Sequence, residues 1–269
     1  MVQYGRMNLS TLIATSLISP FFVEVAPEVR STYVSLGKLM EDRPMQITSV
    51  RVGYDADVFG RFGIRNWDVS SLTDRRHDAH RHALYHTEFG PTWQYDLELF
   101  ENWTVKSDLT RSWTMYRGFK SDYASSNKTY SWWQIEQALA NPYVVPFYRL
   151  RRCFSGSDYL YFKTGVRKRL KFLEDFYFTP SVYVEGGNSR NYKRVVGARP
   201  DGERWHSGVS SLTFRLELGW VFAEQMSAFV FAEQYEIVGQ DARSAIESSS
   251  YRCAHKDWTL CGVGCRIRF

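Results

Sequence analysis

Basic residues recur two or four positions apart in several segments where apolar and polar side chains alternate. Lys163, Arg167 and Arg169 keep this spacing, and Arg149 and Arg151 keep it in the preceding segment. A strand places alternate residues on one face, so the pattern predicts cations along one wall. Arginine presents a planar fork of N–H donors that suits carboxylate, sulfate or phosphate groups. The predicted chemistry is anion binding.

The same alternation selects a larger set of charged side chains for that wall. The basic members are Arg51, Arg61, Arg65, Lys106, Arg149, Arg151, Lys163, Arg167, Arg169, Arg215, Arg266 and Arg268. The acidic members are Glu88, Asp96, Glu98, Asp108, Glu136, Glu185 and Glu217. Twelve bases against seven acids leave an excess of positive charge, so a water-filled pore lined by both sets is expected to favour anions.

The remaining residues that could do chemistry form no catalytic or metal site. None of the histidines lies two residues from a serine in an alternating segment, as a strand-borne Ser–His pair would require. The histidines are His77, His80, His82, His86, His206 and His255. The tract 74–82 holds three histidines and two aspartates, but three interspersed arginines oppose a cation. No phosphate-binding loop, dinucleotide-binding motif, calcium loop or C-x-x-C pair is present. We therefore predict no catalytic residues, no metal and no cofactor.

Composition narrows the class of protein. The 269 residues include 18 Phe, 17 Tyr and 9 Trp, too many for a disordered chain. The mean hydropathy of −0.38 excludes a bundle of membrane-spanning helices, which needs several apolar runs of about 20 residues. The net charge of +5 is too small to indicate a nucleic-acid partner. High aromatic content in a hydrophilic chain is typical of a closed barrel with aromatic belts outside and a polar interior.

A period of two runs through most of the chain and predicts an all-β fold. The clearest case is residues 212–220, where Leu, Phe, Leu, Leu and Trp alternate with Thr, Arg, Glu and Gly. We predict a closed antiparallel transmembrane barrel of about twelve strands, although ten or fourteen also fit. The predicted strands are 24–40, 45–54, 57–69, 86–99, 102–118, 130–139, 144–154, 158–171, 175–187, 209–222, 226–238 and 257–269. Short and long links alternate in the second half of the chain, as in outer-membrane barrels.

The first residues are set apart from this pattern. An uncharged stretch from Met7 to Val23 contains Pro20 and is short for a membrane-spanning helix. We predict that residues 1–26 are a degenerate secretion signal or an ordinary N-terminal segment. Residues 27–269 are then a single barrel domain.

The last twelve residues form an alternating segment that ends on an aromatic side chain. Phe269, Ile267 and Val263 share one face with Cys261 and Cys265. This segment resembles the closing strand of bacterial outer-membrane β-barrel proteins. The resemblance implies that Phe269, Ile267 and Val263 form a signal for the outer-membrane assembly machinery. On this interpretation Cys261 and Cys265 are small apolar residues that face lipid. Cys153, near the outer end of a predicted strand, and Cys253, in the last long loop, are candidates for a disulfide across the rim.

Tryptophans distinguish a membrane barrel from a soluble β-sandwich, whose strands also alternate. Several lie near strand ends on the apolar faces, as interfacial girdles do. They are Trp67, Trp93, Trp103, Trp113, Trp133, Trp220 and Trp258. The polar faces carry charges in mid-strand, which also favours the barrel.

The function that follows is an outer-membrane, porin-like channel that passes small polar or anionic solutes by passive diffusion. Its arginine-rich lumen resembles, in architecture, twelve-stranded channels for acidic oligosaccharides. The expected partners are membrane lipid, the assembly machinery and the solutes. Two alternatives remain open: a structural barrel closed by internal salt bridges, and an outer-membrane lipid hydrolase or deacylase.

Overall fold

The computed structural model describes residues 20–35, 38–41, 43–72, 85–117, 129–154, 158–191, 206–240, 243–244 and 257–269. The strands are β1 (Phe21–Arg30), β2 (Tyr33–Ser35), β3 (Lys38–Glu41), β4 (Met45–Asp55), β5 (Arg61–Ser71), β6 (Tyr85–Phe100), β7 (Trp103–Arg117), β8 (Thr129–Ala140), β9 (Val145–Cys153), β10 (Leu160–Arg167), β11 (Leu170–Lys171), β12 (Phe176–Gly187), β13 (Gly208–Ala223), β14 (Met226–Ile237) and β15 (Asp257–Arg268).

Twelve strands close into one antiparallel barrel. Each pairs with the next barrel strand in the chain, and β1 pairs with β15 to complete the wall. β11 continues β10 along β12 after a break at residues 168–169, so β10 and β11 occupy one position. β2 and β3 pair with each other outside the barrel. The prediction of an all-β, closed barrel of twelve strands is confirmed.

The main difference from the predicted elements lies at the first strand. Residues 24–40 are not one strand, because β1 ends at Arg30 and bends at residues 31–32 precede the β2–β3 hairpin. Hairpin strands also alternate, so the sequence pattern does not mark the bend. Of the predicted N-terminal segment, residues 21–26 belong to β1, and residues 1–19 lie outside the described residues.

Short turns collect at one end of the barrel, which we call the lower end. They are residues 56–60, 101–102, 141–144, 172–175 and 224–225. At one of them the Asn141 side chain holds the turn, since its Oδ1 accepts hydrogen bonds from the backbone N–H groups of Tyr143 (2.9 Å) and Val144 (3.0 Å). The longer links lie at the opposite, upper end. In outer-membrane barrels the short turns face the periplasm.

Prolines inside the strands lie where one ladder is interrupted. The β1–β15 pairing skips the position of Pro27, and the β6–β7 pairing skips that of Pro91. Pro146 precedes the first β8 partner on β9, and Pro180 lies opposite the break between β10 and β11. Because proline has no N–H to donate, these positions preserve the rest of the sheet.

The outer surface of the barrel is apolar. Val52, Phe214 and Val263, on three different strands, are each 51% exposed although they are hydrophobic residues in mid-sheet. A soluble sandwich would bury this face in a core, so the exposed band excludes that alternative. Among the described residues, no helix has the length and hydropathy to cross a membrane.

Two of the seven predicted girdle tryptophans face inward instead. Trp67 shares the face of Arg65 on β5, and Trp258 shares that of Arg266 on β15. The apolar character of tryptophan suggested the outer face, but the parity of the strand fixes its direction. Trp93, Trp103, Trp113, Trp133 and Trp220 lie on the outward face.

Candidate functional site

A cavity of about 830 Å³ lies inside the barrel, and we call it the central cavity. Nine of the twelve predicted basic residues border it: Arg65, Lys106, Arg149, Arg151, Lys163, Arg167, Arg169, Arg215 and Arg266. A lower cavity of about 970 Å³ lies at the short-turn end, bordered by Arg169, Arg266 and Arg268. Arg51 and Arg61 contact Glu24, which also borders the lower cavity.

The inward face carries acids that the sequence reasoning missed. Glu24, Glu28 and Glu233 share it, and so does one further base, Arg30. These three acids against one base narrow the excess of positive charge that the sequence predicts for this face. The strict alternation in 24–30 and 226–237 would have identified these acids.

The wall of β13, β14 and β15 holds a chain of ion pairs. Arg215 lies 2.5 Å from Glu233 and 2.8 Å from Glu217, measured between guanidinium nitrogen and carboxylate oxygen. Arg266 reaches the same Glu217 at 3.0 Å. The Arg215 guanidinium also lies 3.8 Å from the centroid of the Phe231 ring. Both arginines are therefore bound into the wall.

A second set of ion pairs joins β6, β8 and β9. Arg149 donates two hydrogen bonds to Glu136 Oε2, at 2.5 and 2.8 Å. Arg151 lies 3.4 Å from Glu88 and stacks on the Trp132 ring at 3.8 Å. His86 Nε2 lies 3.3 Å from the same Glu88 carboxylate. His86 thus faces the interior, away from the lipid-facing wall that a lipid hydrolase would use.

Near the lower end a third set of ion pairs spans several strands. Arg51 on β4 reaches Asp108 on β7 at 2.8 Å and Glu24 on β1 at 3.3 Å. Arg61 and Arg268 also lie within 4 Å of Glu24, at 3.5 and 3.8 Å. Lys106 lies 3.3 Å from Asp96.

Glu185 is the centre of a buried polar cluster toward the upper end. It accepts hydrogen bonds from the hydroxyls of Tyr161 (2.5 Å) and Tyr235 (2.8 Å), and Lys163 Nζ lies 3.7 Å away. The Tyr235 hydroxyl also contacts Ser211 Oγ at 2.6 Å. The cluster ties β10, β12, β13 and β14 together, so Lys163 is held in the wall.

Three of the predicted bases have no carboxylate oxygen within 4 Å among the residues that the structure describes. Arg65, Arg167 and Arg169 all border the central cavity. Arg167 lies 5.3 Å from the centroid of the Phe147 ring, and Arg169 lies 3.6 Å from that of Tyr177. An aromatic face attracts a guanidinium but carries no net charge, so it does not neutralise the cation. These arginines are the cations available to a solute.

Tyr177 lies between the two cavities and is fixed in place. It borders both, together with Arg169 and Arg266. Its ring covers Gly219, where a Cβ atom would lie 2.0 Å from Tyr177 Cζ. Its hydroxyl contacts Glu217 at 3.4 Å and accepts a hydrogen bond from Arg266 at 3.1 Å. The absence of a side chain at residue 219 lets the ring lie against the wall.

The last strand closes the barrel. Phe269 N donates to Val23 O at 2.8 Å, and Val23 N donates to Phe269 O at 2.9 Å. Val263 and Phe269 are 51% and 54% exposed on the outward face, which Ile267 shares. Cys261 is exposed and Cys265 half-buried on that same face.

Two predictions fall on residues outside the described ranges. The histidine tract at 74–82 is one, and Cys253, the suggested partner of Cys153, is the other. Both stay predictions. Within the described residues, no group of three or more His, Cys, Asp or Glu side chains is arranged to hold a metal ion.

The fold is similar to those of solved outer-membrane proteins. For an outer membrane channel from Pseudomonas putida F1, the match covers 93% of this chain and 96% of the channel, with 10% identity and a TM-score of 0.52. For the KdgM porin in complex with disordered oligogalacturonate, it covers 92% of this chain and 99% of the porin, with 11% identity and a TM-score of 0.47. No protein-family model and no curated protein matches the sequence.

At such identities the likeness concerns the fold alone. Together with the closed wall and the apolar exterior, it agrees with the resemblance seen in the last strand. The architecture is that of a bacterial outer-membrane β-barrel.

Proposed function

We propose that this protein is an outer-membrane channel that passes small polar or anionic solutes by passive diffusion. The observation that carries the proposal is the central cavity with Arg65, Arg167 and Arg169 on its wall. None of these three has a carboxylate oxygen within 4 Å among the described residues. In a confined, water-filled space such charges raise the local concentration of anions. The proposed function requires no chemical step and no cofactor.

Arg167 and Arg169 are the residues that we expect to set selectivity. Arg169 borders both the lower and the central cavity, so a solute that passes from one to the other meets its guanidinium. The solute next meets Arg167, which borders the central cavity alone. Two guanidinium forks in succession suit a carboxylate, sulfate or phosphate group that exchanges partners as it moves.

The test is the reversal potential of the refolded protein in a planar bilayer under a salt gradient. The wild type should give stable conductance steps and prefer anions. The double variant Arg167→Gln/Arg169→Gln should lose most of that preference. Lys168→Gln is the matched control, because Lys168 lies between the two arginines in sequence and borders neither cavity. An unchanged reversal potential in the double variant would overturn the assignment of these arginines.

The ion pairs favour a second candidate, a structural barrel closed by its own side chains. Three sets of inward charges neutralise each other across β1, β4, β6–β9 and β13–β15. A correctly folded wild type that gives no conductance steps would support this candidate and contradict the proposal of a channel.

We also propose that the last strand is the signal for outer-membrane assembly. Its support is the outward face of Val263, Ile267 and Phe269 and the two hydrogen bonds that join Phe269 to Val23. Deletion of Phe269 should lower the amount of heat-modifiable barrel in the outer-membrane fraction. Phe269→Tyr keeps the ring and the backbone and should assemble normally. Normal assembly of the shortened chain would contradict the proposal.

A further inference from the structure

Arg111 of β7 lies on the lipid-facing side of the wall. Arg111 shares the outward face with Trp113, and its position is in register with Trp133 of β8. Its guanidinium carbon lies 5.4 Å from the Trp113 ring centroid, 5.3 Å from that of Trp133 and 5.8 Å from that of Phe154. Three aromatic rings thus surround a charge on a largely apolar surface.

The charge of Arg111 is not compensated within the described part of the chain. No carboxylate there pairs with it, and its Nη1 is buried without a hydrogen-bond partner. An arginine on the lipid face of a barrel is strongly destabilising at the bilayer midplane and is tolerated near the interfaces. The position of Arg111 along the wall therefore decides whether it is tolerated.

Arg111 lies close to the upper interface. The Phe100–Trp103 ring pair marks the lower interface, and Arg111 is eight residues above Trp103 on β7. At the usual strand rise and tilt this is about 20 Å, near the top of an apolar band of about 25 Å. Trp113, Trp133 and Phe154 then belong to the upper aromatic girdle. From that height the long arginine side chain reaches toward the outer headgroups.

More positive charge lies beside it. Arg152 is in register with Trp133 from the other side, so Trp133 separates the two arginines. Asp158 lies 3.3 Å from Arg152 and 2.9 Å from Arg190. Three guanidiniums and one carboxylate leave a net charge of +2. We call Arg111, Arg152, Arg190 and Asp158 the outer arginine cluster.

We propose that the outer arginine cluster binds the phosphate groups of a lipopolysaccharide molecule in the outer leaflet. Guanidinium forks match phosphate geometry, and a phosphate oxygen is an acceptor of the kind that Arg111 lacks. The rings of Trp113, Trp133 and Phe154 offer an apolar surface to the acyl chains below the phosphate. The site lies outside the barrel, so it does not depend on whether the lumen conducts.

The experiment measures lipid A binding to the folded protein in detergent by native mass spectrometry. The probes are bisphosphorylated lipid A, lipid A without phosphates, and phosphatidylglycerol. The wild type should prefer bisphosphorylated lipid A, and Arg111→Gln/Arg152→Gln should weaken that binding by roughly tenfold or more. Arg243→Gln is the matched control, because Arg243 is an exposed arginine at the same end that pairs with Glu236.

A second variant separates loss of binding from loss of folding. Arg190→Gln changes a residue outside the barrel strands and should weaken binding by a smaller factor while the barrel stays heat-modifiable. Equal binding of lipid A with and without phosphates would overturn the proposal. Unchanged binding by both cluster variants would overturn it too. Equal binding of phosphatidylglycerol would remove lipopolysaccharide as the occupant.

Discussion

Two groups of inward arginines have the same side chain and face the same interior, but their surroundings are opposite. Arg215 and Arg266, on β13 and β15, share the carboxylate of Glu217. Arg167 and Arg169, at the lower end of β10 and in the break that follows, contact aromatic rings and no carboxylate among the described residues. Strand parity decides which side of the wall a charge occupies. The neighbours decide whether it stabilises the barrel or stays available to a solute.

Register explains the difference. Arg215 lies directly opposite Glu233 on β14, and Glu217 follows on the same face of β13. Arg167 lies opposite Val145 on β9 and Ser181 on β12. Neither of these directly opposite residues carries a charge, so Arg167 has no cross-strand partner of the kind that Arg215 has.

Removal of the shared carboxylate should have the largest effect on stability. Glu217→Gln leaves Arg215 with one acidic partner and Arg266 with none in the described wall. The free energy of unfolding should fall by about 3 kcal/mol, as when a buried ion pair loses one partner. Urea unfolding of the barrel in lipid vesicles measures it.

The matched control is Glu236→Gln, which removes an exposed ion pair with Arg243. Its loss should be about 0.5 kcal/mol. Equal losses in the two variants would mean that Glu217 does not bind the wall together.

A methyl group at residue 219 should have the next largest effect. In Gly219→Ala the new Cβ overlaps the Tyr177 ring, which must move toward the passage between the two cavities. Overpacking of this kind costs about 1–3 kcal/mol. We expect lower stability and, if the lumen conducts, a smaller single-channel conductance.

The double variant Gly219→Ala/Tyr177→Ala isolates the contact. The alanine at 219 should cost much less stability when residue 177 has no ring. A cost that is the same in both backgrounds would show that the Tyr177 ring does not depend on Gly219.

The smallest effects come from conservative changes that sharpen the comparison. Arg215→Lys keeps the charge but cannot bridge Glu217 and Glu233 with two nitrogens of one fork, so we expect a loss of about 1 kcal/mol. Arg167→Lys breaks no ion pair and should change the free energy of unfolding by less than about 0.5 kcal/mol. Equal losses, measured by the same urea unfolding, would remove the distinction between the two groups.

Much of this fold could be predicted because a period of two reports directly on a wall with one apolar side. All twelve barrel strands follow from it, and so does the inward direction of Arg167 and Arg215. The end of β1 at Arg30 does not, because the hairpin that follows also alternates. The predicted outward direction of Trp67 was wrong, because strand parity and not residue type fixes the side of the wall on which a side chain lies.

The ion-pair network is the part that alternation does not determine. The contact between Arg51 and Asp108 joins β4 to β7 and passes over two intervening strands. Such a contact depends on strand tilt, on register and on which side chains between them are short. Alternation shows that both residues face inward but says nothing of their height along the barrel. The separation of paired from unpaired arginines therefore required the structure.

The seam between β1 and β15 makes the barrel a single cooperative unit. The hydrogen bonds between Val23 and Phe269 join positions that are 246 residues apart in the sequence. Every other barrel contact between neighbouring strands can form locally, but this one requires the whole wall. A shortened sheet would expose two rows of unpaired N–H and C=O groups to hydrocarbon, where each unsatisfied group is costly. We therefore expect that no subset of the strands is a stable smaller domain in the membrane.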